Sequence, residues 1–311
     1  MAHSFLGFRW FLSNASKDSR PPQKIIQIFM SGDLVRPPIL SVKTAHLWHA
    51  SLDLSAPNLR RLEASLDADE RKRAEQFLFE RGRKRFVASR GLLRQILGCY
   101  CGVEPRDIHF NYGSRGKPFL AEKFGGRIQF NVAHSDGFGI FAVTLDGKIG
   151  VDLEHIIPIV EAGQIADRFF SDQEKAVINS LSGRKKSELF FKIWTAKEAY
   201  LKARGEGLTY PLNKVDVLTA LRGYPCSLKV EGNVAEYTHW SLRQLRTAAG
   251  FVGALVVEES KHHSFCNDVN HELSAFACSE EQGIFEESTE GFSVTSNLLE
   301  SLPCREVRCV L

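Results

Sequence analysis

A carboxylate set inside the apolar stripe of a helix constrains this chain more than any other feature. In the run Phe190-Phe191-Lys192-Ile193-Trp194-Thr195-Ala196-Lys197-Glu198-Ala199-Tyr200-Leu201-Lys202, the residues Phe190, Trp194 and Leu201 share one face at helical spacing. Glu198 lies on that face, four residues after Trp194. A helix that buries this stripe also buries the carboxylate, so the fold has to bring it a partner. Lys202 stands four residues further on, the spacing at which an acid and a base on one helix meet, and the same spacing suits an ordinary surface ion pair. Gly205 and Gly207 then stop the helix ahead of Pro211.

A second acidic element lies upstream. Ile140-Phe141-Ala142-Val143-Thr144-Leu145, the pair Asp146-Gly147 and Lys148-Ile149-Gly150-Val151-Asp152-Leu153-Glu154 read as a hairpin with a tight Asp-Gly turn. On its second strand Ile149, Val151 and Leu153 point one way, while Asp152 and Glu154 point the other. Side by side, the two carboxylates repel unless something positive lies between them. A hard cation such as Mg²⁺, which takes oxygen ligands, fits that need, and a solvated strand face is the alternative.

A third element is Arg115-Gly116-Lys117-Pro118, followed by Ile128-Gln129-Phe130-Asn131-Val132-Ala133-His134-Ser135. The turn offers a cation on a constrained backbone, and Asn131, His134 and Ser135 end a strand with hydrogen-bonding groups that suit phosphates or serve structure. It is not a P-loop, because the Gly-x-x-x-x-Gly-Lys-Ser/Thr spacing is absent.

In their order and spacing, Gly116-Lys117-Pro118, Phe130-Asn131-Val132-Ala133-His134-Ser135, Gly150-Val151-Asp152-Leu153-Glu154 and the Trp194-x-x-Lys197-Glu198-x-x-x-Lys202 helix resemble the Sfp-type 4′-phosphopantetheinyl transferases. The resemblance runs over residues 46 to 257 and takes in Leu47-Trp48 and the basic helix that starts at Asp69. Ala133 departs from it, since many relatives carry Ser there, which removes one hydroxyl near the cofactor.

The resemblance implies an α+β fold: two similar α/β halves, related by a pseudo-twofold, in one chain, with the active site in the cleft between them. It implies transfer of the phosphopantetheine arm from coenzyme A to a serine of an acyl or peptidyl carrier protein, releasing 3′,5′-ADP. Asp152, Glu154 and Glu198 would be the Mg²⁺ ligands, and Asp152, Glu198 and Lys202 the catalytic group. Glu198 or a metal-bound water would take the serine proton, and Lys202 would stabilise the pyrophosphate. Coenzyme A would be held by Arg73, Arg90, Arg115, Gly116, Lys117, Pro118, Asn131, His134 and Ser135 together with the same acidic and basic residues, with Arg73, Lys117 and His134 on the 3′-phosphate. The alternatives are a non-catalytic coenzyme A or carrier-binding module of the same fold, and a nucleic-acid binder using the basic helices between Arg71 and Arg94.

Composition narrows the field. Residues 259–311 hold 10 acids and 3 bases, which leaves 37 bases and 27 acids, a net charge of +10, for the rest. That excess attracts a polyanion such as coenzyme A, an acidic carrier or nucleic acid. Zinc-finger spacing, an RNP-like strand motif and a heptad zipper are all absent, so nucleic acid is not expected. Nothing approaches the roughly 18 apolar residues of a membrane span. The 7 cysteines form no Cys-x-x-Cys pair, which points to a reducing, cytoplasmic setting. A cleft complete within one chain points to a monomer.

Four segments are expected: an irregular N-terminal extension (1–44), an N-terminal half (45–147), a C-terminal half (148–258) and an acidic, disordered tail (259–311). Periodicity predicts strands over 46–52, 108–111, 128–132, 149–154, 215–218, 226–230, 240–244 and 250–257, and helices over 58–77, 81–100, 165–169, 172–181 and 187–203. His262, His263, Cys266 and His271 fit no standard zinc spacing.

Overall fold

Alternating apolar strands and two long helices give the chain a mixed α and β architecture. The computed structural model describes residues 24–30, 37, 39–42, 44–159, 162–205, 210–221, 228–230 and 240–258. Gly207, the expected strand start at Cys226, residues 1–23 and the whole of 259–311 lie outside the described residues.

The first sheet is built from β1 (Lys24–Met30), β2 (Thr44–Ser51), β5 (Ile128–Ser135) and β6 (Phe138–Leu145), in the order β1-β2-β6-β5. β1 runs parallel to β2, so the segment expected to be irregular contributes an edge strand. Between β2 and β5 come α1 (Ala56–Glu63), α2 (Ala68–Glu75), α3 (Glu80–Cys101) and a small hairpin of β3 (Phe110–Tyr112) and β4 (Pro118–Leu120). The second sheet, in the order β10-β11-β7, joins β7 (Ile149–His155), β10 (Trp240–Leu245) and β11 (Phe251–Glu258). α4 (Ala162–Phe169), α5 (Asp172–Asn179), α6 (Gly183–Arg204), the two-residue strands β8 (Val215–Asp216) and β9 (Lys229–Val230), and α7 (Leu218–Leu221) complete the described strands and α-helices.

Two expectations are corrected. The helix read over 58–77 is two helices, because Asp67 starts a new one: its carboxylate accepts the Glu70 N–H, and Glu70 accepts the Asp67 N–H in return. Arg94, fully buried on α3, locks that break by donating to Glu70 Oε2 and Asp67 Oδ2, both at 2.6 Å, and to the Ile108 carbonyl. The hairpin read over 140–154 is also wrong. The Asp146-Gly147 turn forms, with positive φ at both residues, but β6 pairs with β2 on one edge and β5 on the other. With both edges of β6 occupied, β7 passes into the second sheet and pairs with β11.

The alternation of side chains then fixes the layers. Trp48, Phe141 and Val143 meet Val87, Leu93, Ile96 and Leu97 of α3 in one core. Val252, Ala254 and Val256 meet Ile193, Ala196 and Tyr200 of α6 in another. A third core takes Leu47, Ile140 and Ala142 from the first sheet and Ile149, Val151, Leu153 and Leu255 from the second. Among the described residues, no helix is long and apolar enough to cross a membrane.

Candidate active site

β5 and β7 are edge strands of different sheets, and side chains join them where a ladder would otherwise run. The Asn131 Oδ1 accepts the Val151 N–H at 2.8 Å, and the Ser135 Oγ accepts the His155 N–H at 3.0 Å. Two polar residues four apart on β5 thus satisfy two N–H groups four apart on β7. Asn131 and Ser135, expected at a phosphate, are tied to the backbone of the acidic strand, and Ser135 Oγ also donates to Glu154 Oε2 at 3.3 Å.

On the opposite face of β7 lies α6, and Gly150 sets the distance between them. A Cβ at Gly150 would overlap the Ala199 carbonyl and the Ala203 amide of α6, both of them backbone atoms that cannot turn aside. Only glycine lets the helix come so close. Asp152 and Glu154 follow Gly150 on the same face of the strand, so this contact carries the acidic pair against Glu198 and Lys202.

Lys202 Nζ donates to Asp152 Oδ1 at 2.8 Å, a pair almost wholly enclosed. The sequence places Glu198 one turn before Lys202, and the structure adds Asp152 of the strand as a partner. Asp152 is 5% exposed and Glu198 4%. Burial raises the pKa of Asp152 against the opposing pull of Lys202. Glu154 is pushed up to about 7, first by burial and then by the charge of Asp152, with Glu198 adding to it; Ser135 and Lys202 act the other way. Three carboxylates and one ammonium therefore share a single electrostatic environment.

The donor chemistry suits a hard cation. Asp152 Oδ2 is buried with no hydrogen-bond partner among the described residues, and the repulsion felt by Glu154 is the kind that a divalent ion relieves. As they stand, no group of three His, Cys, Asp or Glu among the described residues is arranged to hold a metal ion, and Lys202 supplies the positive charge.

A basic side adjoins the acids. His134 keeps much of its surface in solvent at the end of β5, and its pKa is lowered by partial desolvation and then by the positive charges of Lys202, Arg90 and Arg85. Arg90, 8% exposed, lies over the rings of Phe86 and Phe110, and Arg73 lies over Phe86 from the other end of the α2–α3 joint. Most other bases of this region have local acids: Arg85 with Asp53 and Asp136, Arg83 with Glu63, Lys84 with Glu80 and Arg94 with Asp67 and Glu70. Arg115 is exposed in the β3–β4 turn, beside Gly116 at φ +80° and Pro118 at the start of β4. The Lys117 ammonium donates to the carbonyls of Lys202 and Ile149.

Sequence reasoning missed Lys197 as a structural anchor. It is fully buried and donates to Glu174 Oε2 at 2.7 Å and to the carbonyls of Leu212 and Val215, next to Glu198 in the chain. The signal available was a lysine on the apolar side of the α6 stripe.

The model of the 4′-phosphopantetheinyl transferase superfamily matches residues 148–256, and that of the 4′-phosphopantetheinyl transferase N-terminal region matches residues 53–145. The 4′-phosphopantetheinyl transferase HetI of Nostoc sp. is 43% identical over 178 residues, covering 56% of this chain and 75% of that protein. A 4′-phosphopantetheinyl transferase of Bacillus subtilis is 30% identical over 165 residues, with 53% and 71% covered, and the Sfp enzyme of Bacillus subtilis strain 168 is 27% identical over 164, again with 53% and 71% covered. On these matches the chain belongs to the Sfp-type 4′-phosphopantetheinyl transferases, a family of enzymes.

Proposed function

We propose that this protein transfers the 4′-phosphopantetheine arm of coenzyme A to a serine hydroxyl of an acyl or peptidyl carrier protein. The observation that carries the reading is the gathering of Asp152, Glu154, Glu198 and Lys202 at the close contact of β7 with α6. The serine oxygen forms a bond to the phosphorus that bears pantetheine. The bond from that phosphorus to the bridging oxygen breaks, and the bridging oxygen leaves with 3′,5′-ADP. Glu198, within the apolar stripe of α6, is the group on this chain best disposed to take the serine proton.

Asp152, Glu154 and Glu198 would hold Mg²⁺, which when bound offsets negative charge on the pyrophosphate. Lys202 directs its ammonium at the same place and balances the charge of the leaving group. His134, Arg90 and Arg73 form the basic flank that faces the phosphates of coenzyme A. The site lies between β5 of the residues 45–147 and β7 and α6 of the residues 148–258, which we propose as two halves with the reaction in the cleft between them. The described cysteines, Cys99 and Cys101, are free thiols, in keeping with a cytoplasmic enzyme. A cleft complete within one chain suits a monomer.

Asp152→Ala and Glu198→Ala test the assignment. Each is expected to abolish carrier modification in a protein that still unfolds cooperatively, and activity retained by either would sink its role.

A further inference from the structure

Lys117 stands at the close of the β3–β4 turn, where the resemblance implies a grip on the 3′-phosphate of coenzyme A. Its ammonium is already engaged. It donates to the Lys202 carbonyl at 2.5 Å and to the Ile149 carbonyl at 3.3 Å. The first of these belongs to the last turn of α6, where carbonyls have no partner within the helix. The Gly205 N–H closes on the Leu201 carbonyl, and a cation is a favoured donor to carbonyls at a helix C-terminus. The second carbonyl belongs to the first residue of β7.

These two carbonyls flank the contact that Gly150 makes possible. Gly150 follows Ile149 and packs against Ala199 and Ala203, which flank Lys202 on α6. Lys202 then directs its side chain to Asp152, two residues beyond Gly150. Lys117 reaches this corner from the β3–β4 hairpin, outside both elements it joins. Burial, and then the charges of Lys148 and Lys202, bring its pKa down to about 8, as expected of an ammonium enclosed by protein.

Resting on the transfer reaction proposed above, we infer that Lys117 is a positioning residue: it ties the last turn of α6 to the start of β7 and so fixes the Lys202–Asp152 pair, and it is not a ligand of the 3′-phosphate. The two roles separate in binding and in turnover. Lys117→Met keeps the length of the side chain and removes its donors.

The test measures the dissociation constants of CoA and of 3′-dephospho-CoA for both proteins by calorimetry, and kcat for carrier modification at saturating CoA and carrier. A positioning role predicts that the preference for CoA over 3′-dephospho-CoA stays within threefold of the wild-type value, while kcat falls by about a hundredfold, the scale expected when reacting groups are misplaced by about 1 Å. A preference that collapses in Lys117→Met, or a kcat that does not change, overturns the inference. Should Lys117→Met not fold, Lys117→Gln, which keeps one short donor, is held to the same two criteria. Wild-type protein that binds CoA but modifies no carrier would refute the transfer reaction, and the CoA preference would still decide whether Lys117 holds the 3′-phosphate.

Discussion

Replacing Glu154 with Gln probes the acidic cluster through stability alone, before any substrate is added. Glu154 has its pKa pushed up from 4.5 to about 7 by burial and by the neighbouring carboxylate of Asp152. The folded pKa is above the unfolded one, so the stabilising contribution is fully present below 4.5 and is lost as pH rises through 7. Ionised Glu154 therefore costs the metal-free fold up to about 3.4 kcal/mol at alkaline pH, at about 1.36 kcal/mol per pKa unit. Of this, about 2.5 kcal/mol develops between pH 5 and pH 8. Both figures are upper bounds, because solvent reaching the exposed edge of the carboxylate screens part of the repulsion. Glu154→Gln keeps the shape and an acceptor for Ser135 and removes the charge. Urea unfolding in EDTA should show the variant gaining on wild type as pH rises from 5 to 8, by about 1 to 2.5 kcal/mol. A difference that stays flat across this range, or that turns against the variant at pH 8, would refute the reading of Glu154 as a carboxylate held against its neighbours.

Two further substitutions test what holds the site together. Gly150→Ala should push α6 off β7, since the added carbon meets helix backbone, with a loss of about 3 kcal/mol or more in urea unfolding and of nearly all transfer activity; a variant within about 1 kcal/mol of wild type would contradict the packing argument. Lys197→Met should cost about 3 to 5 kcal/mol, because it strands the fully buried Glu174 charge, and adding Glu174→Gln should recover part of the loss in a double-mutant cycle. Additive losses would mean that the two side chains do not act as a pair.

Much of the site was legible because its groups break local rules. A glutamate inside the apolar stripe of α6 and two carboxylates on one face of β7 are both costly, and the structure brings the two anomalies together. What stayed hidden depends on partners distant in sequence. Lys202 pairs with Asp152, fifty residues earlier, because Gly150 lets the strand lie against the helix. Asn131 and Ser135 have the chemistry of phosphate ligands, and only the meeting of two sheet edges shows that they serve the N–H groups of β7. The Asp146-Gly147 turn is a sound local signal, but a turn does not say which edge its strands will find; β2 and β5 had already taken those of β6. Likewise the break before α2 is encoded by Asp67 and Glu70, three apart, inside a run of good helix formers that hides it.

The central claim is the transfer itself, and intact-mass analysis tests it most directly. Purified apo acyl carrier protein would be incubated with this protein, CoA and Mg²⁺, beside the same mixture with EDTA. The account predicts that the carrier gains the mass of one phosphopantetheine with Mg²⁺ and none with EDTA. No gain across apo carriers of fatty-acid, polyketide and peptide synthesis, from a folded protein that binds CoA, would contradict it.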